Sequence, residues 1–258
     1  MARSLRQQQI LTLLEERGKA AITYLAEQFD VSDETIRRDL KVLSTDGNVE
    51  KFHGGVRLSM PRSEAPFERR LREEIEAKTS IAMRAAEYIR EGATILMDNS
   101  TTACFLAREL AHRDQLTILT ISLEIAQIFY ASGNGHRVIL PCGEVRGADR
   151  TIVGVGTVEY LSRFTPSYFV TSMVAGSNKG CDDFDLFEAE FKRAMIPQAD
   201  EIIVLMDSSK FGKPGLIHVC DWSEVDVLVT DAPPSVNLEQ MEHLHLLISD
   251  PPSAKDFA

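Results

Sequence analysis

The sequence predicts an α/β protein in two parts: a small N-terminal unit of three helices and a hairpin, then a larger domain on a mostly parallel sheet. Three observations carry this. Residues 1–58 hold three amphipathic stripes followed by two short extended runs around Gly54-Gly55. Residues 59–66 contain two prolines and no apolar period, as a linker does. From residue 94 onward, short, fully apolar runs alternate with helical patterns, the signature of parallel strands covered on both faces. The expected domains are therefore 1–58 and 67–258, joined by 59–66.

The elements follow in order. Ile10, Leu11 and Leu14 mark one face of a first helix, and Ile22, Leu25, Ala26 and Phe29 that of a second. Asp30-Val31-Ser32 interrupts. Ser32 suits a helix N-cap, and Asp33 and Glu34 place negative charge where the helix dipole favours it. Ile36, Leu40 and Leu43 give a third buried stripe, which Asp46-Gly47 ends. One long charged helix is expected over 67–90, with Ile75, Ile81, Ala82, Ala85 and Ile89 towards a core. Strands are expected at 94–97, 116–121, 137–140, 168–173, 202–206 and 225–229, and one more near 246–248.

Composition narrows the function. The chain has 258 residues, 44% of them hydrophobic, and a net charge of −11. The charge is uneven. Residues 1–60 hold nine Lys/Arg and nine Asp/Glu, whereas the remainder holds 19 against 30. A DNA-contacting domain can thus sit beside an acidic one that touches no DNA. The four cysteines form no C-x-x-C pair, which argues against a zinc ribbon, a redox dithiol or a disulfide scaffold. Cys142 and Cys181 are expected to be small buried hydrophobes. His243 and His245 lack metal-ligand context, so no metal and no cofactor is expected. No apolar run approaches the ~20 residues of a membrane span, and the N-terminus lacks a secretory apolar stretch. A cytoplasmic protein is the expectation.

Two short helices, a tight turn and a third helix make a helix-turn-helix whose third helix would enter a major groove. Glu34, Arg38 and Lys41 lie opposite its buried stripe, flanked by Thr35 and Arg37. Lys51, His53 and Arg57 sit on the hairpin, placed to follow an adjacent phosphate backbone. Periodicity alone fits an ordinary solvated face equally well. The residues themselves are more specific. The run Val31-Ser32-Asp33-Glu34-Thr35-Ile36-Arg37-Arg38-Asp39-Leu40, with His53-Gly54-Gly55 beyond it, resembles the DNA-binding signature of the DeoR family of bacterial transcriptional regulators. The resemblance implies a winged helix-turn-helix in which Ser32, Thr35, Arg37 and Arg38 contact DNA. Asp39 is expected to position a neighbouring arginine or to stay structural, since a carboxylate facing phosphate is repelled.

In a parallel sheet, ligands collect at the carboxyl ends of strands, where helix N-termini point. The first such strand ends at Asp98, followed by Asn99 and the hydroxyls Ser100, Thr101 and Thr102 at a helix start, which suits a phosphate as well as plain capping. A later strand ends in Asp207-Ser208-Ser209-Lys210-Phe211-Gly212, where the lysine could neutralise a phosphate or simply be exposed. The segment 141–146, with Cys142-Gly143, forms another strand-to-loop transition, and Asp183, Asp185 and Glu188 ahead of Lys192-Arg193 could accept bonds from sugar hydroxyls or form a solvated acidic loop.

Together these segments resemble the DeoR-family sensor domain, similar in fold to ribose-5-phosphate isomerase and the CoA transferases; the likeness extends over residues 5–232. It implies that Asp98, Ser100, Thr101, Thr102, Cys142, Gly143, Asp185, Glu188, Lys192, Asp207 and Lys210 surround a phosphorylated sugar or polyol. The family usually has Gly-Gly where this chain has Cys142-Gly143. Phe184-Asp185 and 230–234 resemble the glycerol-3-phosphate repressor subgroup. The expected partners are a double-stranded DNA operator, the phosphorylated effector and further copies of the chain, as a homodimer or homotetramer. Two rival readings remain. One is a sugar-phosphate isomerase with an added head, using Asp98, Glu188 and Lys210. The other is an activator sensing a non-phosphorylated metabolite.

Overall fold

A computed structural model describes residues 2–45, 49–52, 54–58, 64–213, 215–238 and 241–251. The chain divides into two compact units, 1–62 and 63–258.

The first unit contains α1 (Ala2–Arg17), β1 (Lys19–Ala21), α2 (Ile22–Gln28), α3 (Asp33–Thr45), β2 (Val49–Phe52) and β3 (Gly55–Leu58). The three helices and the hairpin agree with the sequence reading. β1 does not appear in it, because three residues carry no usable period. It pairs antiparallel with β3, giving a sheet of order β1-β3-β2. Ile10, Leu14, Leu25, Ile36, Leu40 and Val56 close the core. The turn between α2 and α3 is a Schellman closure. Val31 N donates to Ala26 O at 3.0 Å and Asp30 N to Glu27 O at 3.3 Å, with Asp30 left-handed at φ 50°.

In the second unit, α4 (Phe67–Arg70) and α5 (Ile75–Tyr88) replace the expected single helix over 67–90. Glu74 adopts φ 50°, which breaks the helix, and no glycine or proline announces it. Ile75 is consequently exposed, contrary to expectation, while Ile81, Ala82, Ala85 and Ile89 are buried. Lys78 ties the break, its Nζ donating to the carbonyls of Arg70 and Glu73.

Beyond this lie β4 (Thr94–Met97), α6 (Thr101–Leu110), β5 (Thr117–Thr120), α7 (Leu123–Ser132) and β6 (Arg137–Ile139). A hairpin follows, β7 (Glu144–Arg146) and β8 (Thr151–Val153), then α8 (Val155–Leu161) and β9 (Tyr168–Thr171). The chain continues through β10 (Ala175–Ser177), β11 (Gly180–Asp183), α9 (Leu186–Met195), β12 (Glu201–Leu205), β13 (Ile217–Cys220), β14 (Val227–Thr230) and β15 (His245–Ile248). The seven strands read as apolar runs form one parallel sheet of order β15-β14-β12-β9-β4-β5-β6. Residues alternate cleanly between its faces. Ile95, Met97, Ile118 and Val170 pack with α5, α6 and α7. Leu96, Leu119 and Phe169 pack with α8 and α9. The antiparallel sheet β10-β11-β13 and the β7–β8 hairpin were not legible, because their strands are three or four residues long and most carry polar residues or glycine.

Among the described residues no helix is long and apolar enough to cross a membrane.

Candidate functional sites

On the first unit, α3 buries Ile36, Leu40 and Leu43 and turns Arg37, Arg38 and Lys41 outward. Ser32 caps it: its Oγ accepts from Thr35 N at 3.3 Å and lies 2.9 Å from Thr35 Oγ1. A groove of ≈ 480 Å³ runs along this face, lined by Ile22, Glu34, Arg37, Arg38, Leu40, Lys41 and Lys51. The third helix and β2 thus present four cations to one surface. Arg38 Nε lies 3.5 Å from Glu34, an exposed pair of small energetic weight that a phosphate can displace. Arg57 is held by Glu50 at 2.8 Å. Asp39 is buried at 1% exposure and accepts from Arg6 Nε at 2.6 Å and Gln7 Nε2 at 3.3 Å, so it braces α3 against α1. His53 lies outside the described residues.

The second site lies at the carboxyl ends of β4, β9 and β12, neighbours in the sheet. Asp98, fully buried, ends β4. Its Oδ1 accepts from Ser100 N at 2.9 Å, and its Oδ2 from Thr171 Oγ1 at 2.7 Å and Ser172 N at 3.0 Å. Those bonds lock the loop after β4 to the loop after β9. Ser100 then caps α6, accepting from Ala103 N at 3.2 Å. Thr101 and Thr102 are buried in the first turn, and Thr102 Oγ1 has no hydrogen-bond partner among the described residues.

Lys210 arrives from the end of β12 and crosses to β9. Its Nζ donates to Met173 O at 3.0 Å and Ser172 Oγ at 3.2 Å, with Asp207 Oδ2 at 3.9 Å. Asp207 shapes that turn by accepting from Ser209 N at 3.2 Å. Lys78 sits close by: burial lowers its pKa first, and the positive charge of Lys210 lowers it further.

Next to these lies a charged lattice. Lys192, 2% exposed, reaches Asp183 at 2.6 Å, Glu188 at 3.7 Å and Asp98 at 3.9 Å. Burial alone would strip its proton, but Asp183, Glu188 and Asp98 outweigh that and hold it charged. Asp183 is burdened by burial too, yet Lys192 and two backbone N–H groups pull its pKa below the ordinary value. Arg146 binds Asp149 through Nε at 3.0 Å and again through Nη2, Glu188 at 2.9 Å and Asp185 at 2.9 Å. Asp185 also caps α9, accepting from Glu188 N at 3.0 Å. Sequence reasoning missed Arg146, Asp149 and Asn99 as members of this group. Arg146 and Asp149 come from the hairpin that the sequence did not reveal.

Cys142 is exposed, against the expectation of a buried thiol, with Sγ 3.8 Å from Gly156 O; Cys181 is buried. Cys142 lies in the turn between β6 and β7, outside both hydrophobic clusters of the unit. Gly143 beside it is a close-packing position: a Cβ there would meet Thr157 Oγ1 at 2.5 Å and Val153 O at 2.6 Å.

Glu188 is unusual. Burial pushes its pKa up, Lys192 pulls it down and Asp183 pushes it up again, leaving it at about 7 against an ordinary 4.5. The folded chain therefore holds this proton over a range where the unfolded chain has released it. Stability contributed by protonated Glu188 is lost as pH rises from about 4.5 to about 7. Asp183 acts below this window, because its lowered pKa costs stability only in acid, and Lys192 acts far above it. Thermal unfolding from pH 5 to 8 should show a downward slope worth ~2–3 kcal/mol that Glu188→Gln abolishes. An unchanged slope in the variant contradicts the assignment.

A winged helix-turn-helix unit and an α/β unit with a polar cluster at its strand ends define the class of ligand-responsive DNA-binding regulators. The chain belongs to the DeoR family: residues 6–62 match the DeoR-like helix-turn-helix domain and residues 73–232 the DeoR C terminal sensor domain. It is a transcriptional regulator, not an isomerase with an added head. It is 32% identical over 242 residues to the glycerol-3-phosphate regulon repressor of Escherichia coli, covering 93% of this chain and 96% of that one. It is 33% identical to the HTH-type transcriptional repressor CsqR of the same organism, covering 91% and 90%. It is 31% identical to the regulator GolR of Listeria innocua, covering 88% and 89%. Among solved structures it is similar to a Pyrococcus horikoshii translation initiation factor eIF-2B, with TM-score 0.45, 16% identity and coverage of 88% and 81%.

Proposed function

We propose that this regulator represses a carbohydrate or polyol catabolic operon and leaves its operator when a phosphorylated sugar or polyol binds the second unit. The observation that carries the effector site is the junction of β4 and β12. A buried, unpartnered Thr102 Oγ1 lies in the first turn of a ten-residue helix, and Lys210 approaches from two strands away. Free amides at a helix start, a hydroxyl and an ammonium are the groups that a phosphate takes. The name of one relative, the glycerol-3-phosphate regulon repressor of Escherichia coli, supports a phosphorylated polyol. Ser100, Thr101, Thr102 and Lys210 bind the phosphate in this scheme, while Glu188, Asp185 and Arg146 face the carbon skeleton. Asp98, Lys192 and Asp207 hold these groups in place, and Cys142-Gly143 forms the adjoining turn.

Ser32, Thr35, Arg37, Arg38, Lys41, Lys51 and His53 form the DNA-binding face. A single winged helix makes few base contacts, so the working form is a homodimer or homotetramer on repeated half-sites, in the cytoplasm. The effector acts by linkage, favouring one arrangement of the sensor units over another.

Thermal unfolding with phosphorylated and plain sugars and polyols tests the site. Stabilisation by at least one phosphoester and by none of the parent alcohols is expected; equal stabilisation by both rules out a phosphate site. Lys210→Ala should bind operator normally and lose the effector response by about tenfold or more, since hydrogen bonds to charged groups contribute ~1.5–3 kcal/mol. Retained release at the wild-type effector concentration removes Lys210 from the site.

A further inference from the structure

Asn99 lies between the two halves of the site, at the end of β4 and immediately before the cap of α6. It is 1% exposed. Its Nδ2 donates to Glu188 Oε1 at 3.0 Å and to Asp149 Oδ2 at 3.4 Å. Both carboxylates also receive Arg146. The amide is thereby oriented: the two carboxyl oxygens that already accept from Arg146 also take its NH2 group, and the Asp149 carboxylate cannot donate to an amide oxygen. Its Oδ1 is left with no partner among the described residues. A buried acceptor without a donor is costly, and such groups in folded proteins have an explanation. Four of the five Arg146 N–H donors are already bonded to Asp149, Asp185 and Glu188.

We infer that Asn99 Oδ1 receives a hydrogen bond from a hydroxyl of the effector and so sets the preference for a hydroxylated phosphoester over a bare one. The inference rests on the phosphate-ester reading above and goes beyond it, to the part of the ligand that is not phosphate. The amide costs little to reorganise, since its two donors are already fixed. A hydroxyl can donate to Oδ1 whereas an ether or a methyl cannot, so the site selects a donor at this position. The phosphate is held elsewhere, at the start of α6 and at Lys210, so the two contributions separate.

The test titrates the full-length protein with inorganic phosphate, methyl phosphate, sn-glycerol 3-phosphate and fructose 6-phosphate, reading affinity by calorimetry. Methyl phosphate has the anion and no free hydroxyl. In the wild type, at least one of the two hydroxylated esters should bind about tenfold or more tightly than methyl phosphate. In Asn99→Ala that advantage should fall below about threefold, with the methyl phosphate affinity unchanged. Asn99→Asp keeps an acceptor and should keep the advantage, because the comparison with methyl phosphate cancels the effect of the added charge. It also serves if Asn99→Ala does not unfold cooperatively, and loss of the advantage there overturns the inference. An advantage retained in Asn99→Ala overturns it as well, and means that a bound water or the backbone satisfies Oδ1. So does a wild type that binds methyl phosphate as well as the hydroxylated esters. Absence of binding by all four compounds overturns the phosphate-ester reading itself.

Discussion

Lys192→Met should destabilise the second unit by ~3–5 kcal/mol at pH 8, the usual cost of leaving buried charges uncompensated. The lysine is 2% exposed and stands within 3.9 Å of Asp98, Asp183 and Glu188. Methionine fills the same volume without the charge, so the loss is electrostatic and not a cavity effect. Against a total stability of ~5–15 kcal/mol such a loss leaves a marginal protein. Two units need not unfold together, so urea unfolding followed by a probe in the second unit is the suitable measurement. The deficit should shrink as pH falls from 8 to 5, because without Lys192 to pull its pKa down Glu188 takes up a proton more readily than in the wild type, and one uncompensated charge disappears. A Lys192→Met protein as stable as the wild type at pH 8 contradicts the role given to this lattice.

Arg38→Ala should weaken operator binding by about tenfold to a hundredfold, the ~1–3 kcal/mol of a base or phosphate contact at a recognition helix. The unfolding temperature should not change, since its partner in the free protein is the exposed Glu34, 3.5 Å away. Affinity measured across salt concentrations separates two roles. A uniform loss on all sequences with a shallower salt slope marks a phosphate contact, and relaxed discrimination at one base pair marks base readout. Wild-type affinity in Arg38→Ala removes this face of α3 from the interface.

Much of the fold was legible because its signals are strong and local. The seven strands of the parallel sheet are apolar on both faces, so Ile95, Leu96 and Met97, or Ile202 to Met206, stand out as continuous runs. The stripe of Ile36, Leu40 and Leu43 likewise fixes which face α3 turns outward. What escaped lacks such a signal. The break at Glu74 is a backbone conformation that tertiary contacts impose, through Lys78 and the carbonyls it ties. The β7–β8 hairpin has strands of three residues, Glu-Val-Arg and Thr-Ile-Val, too short to show a period. Its absence from the sequence reading hid Arg146 and Asp149, and with them the arrangement around Asn99. A structural, arginine-positioning Asp39 was expected, whereas its partner Arg6 is 33 residues away and could only come from the fold. Cys142 reversed expectation, because composition places cysteines inside and the turn after β6 holds this one outside.

The most direct test of the whole account is operator affinity of the wild-type protein, measured with and without a panel of sugar and polyol phosphates at fixed salt. The account predicts that at least one phosphoester lowers the affinity by about tenfold or more, within the ~1–3 kcal/mol typical of coupled sites, and that its unphosphorylated parent does not. An affinity that stays the same with every phosphoester in the panel contradicts it.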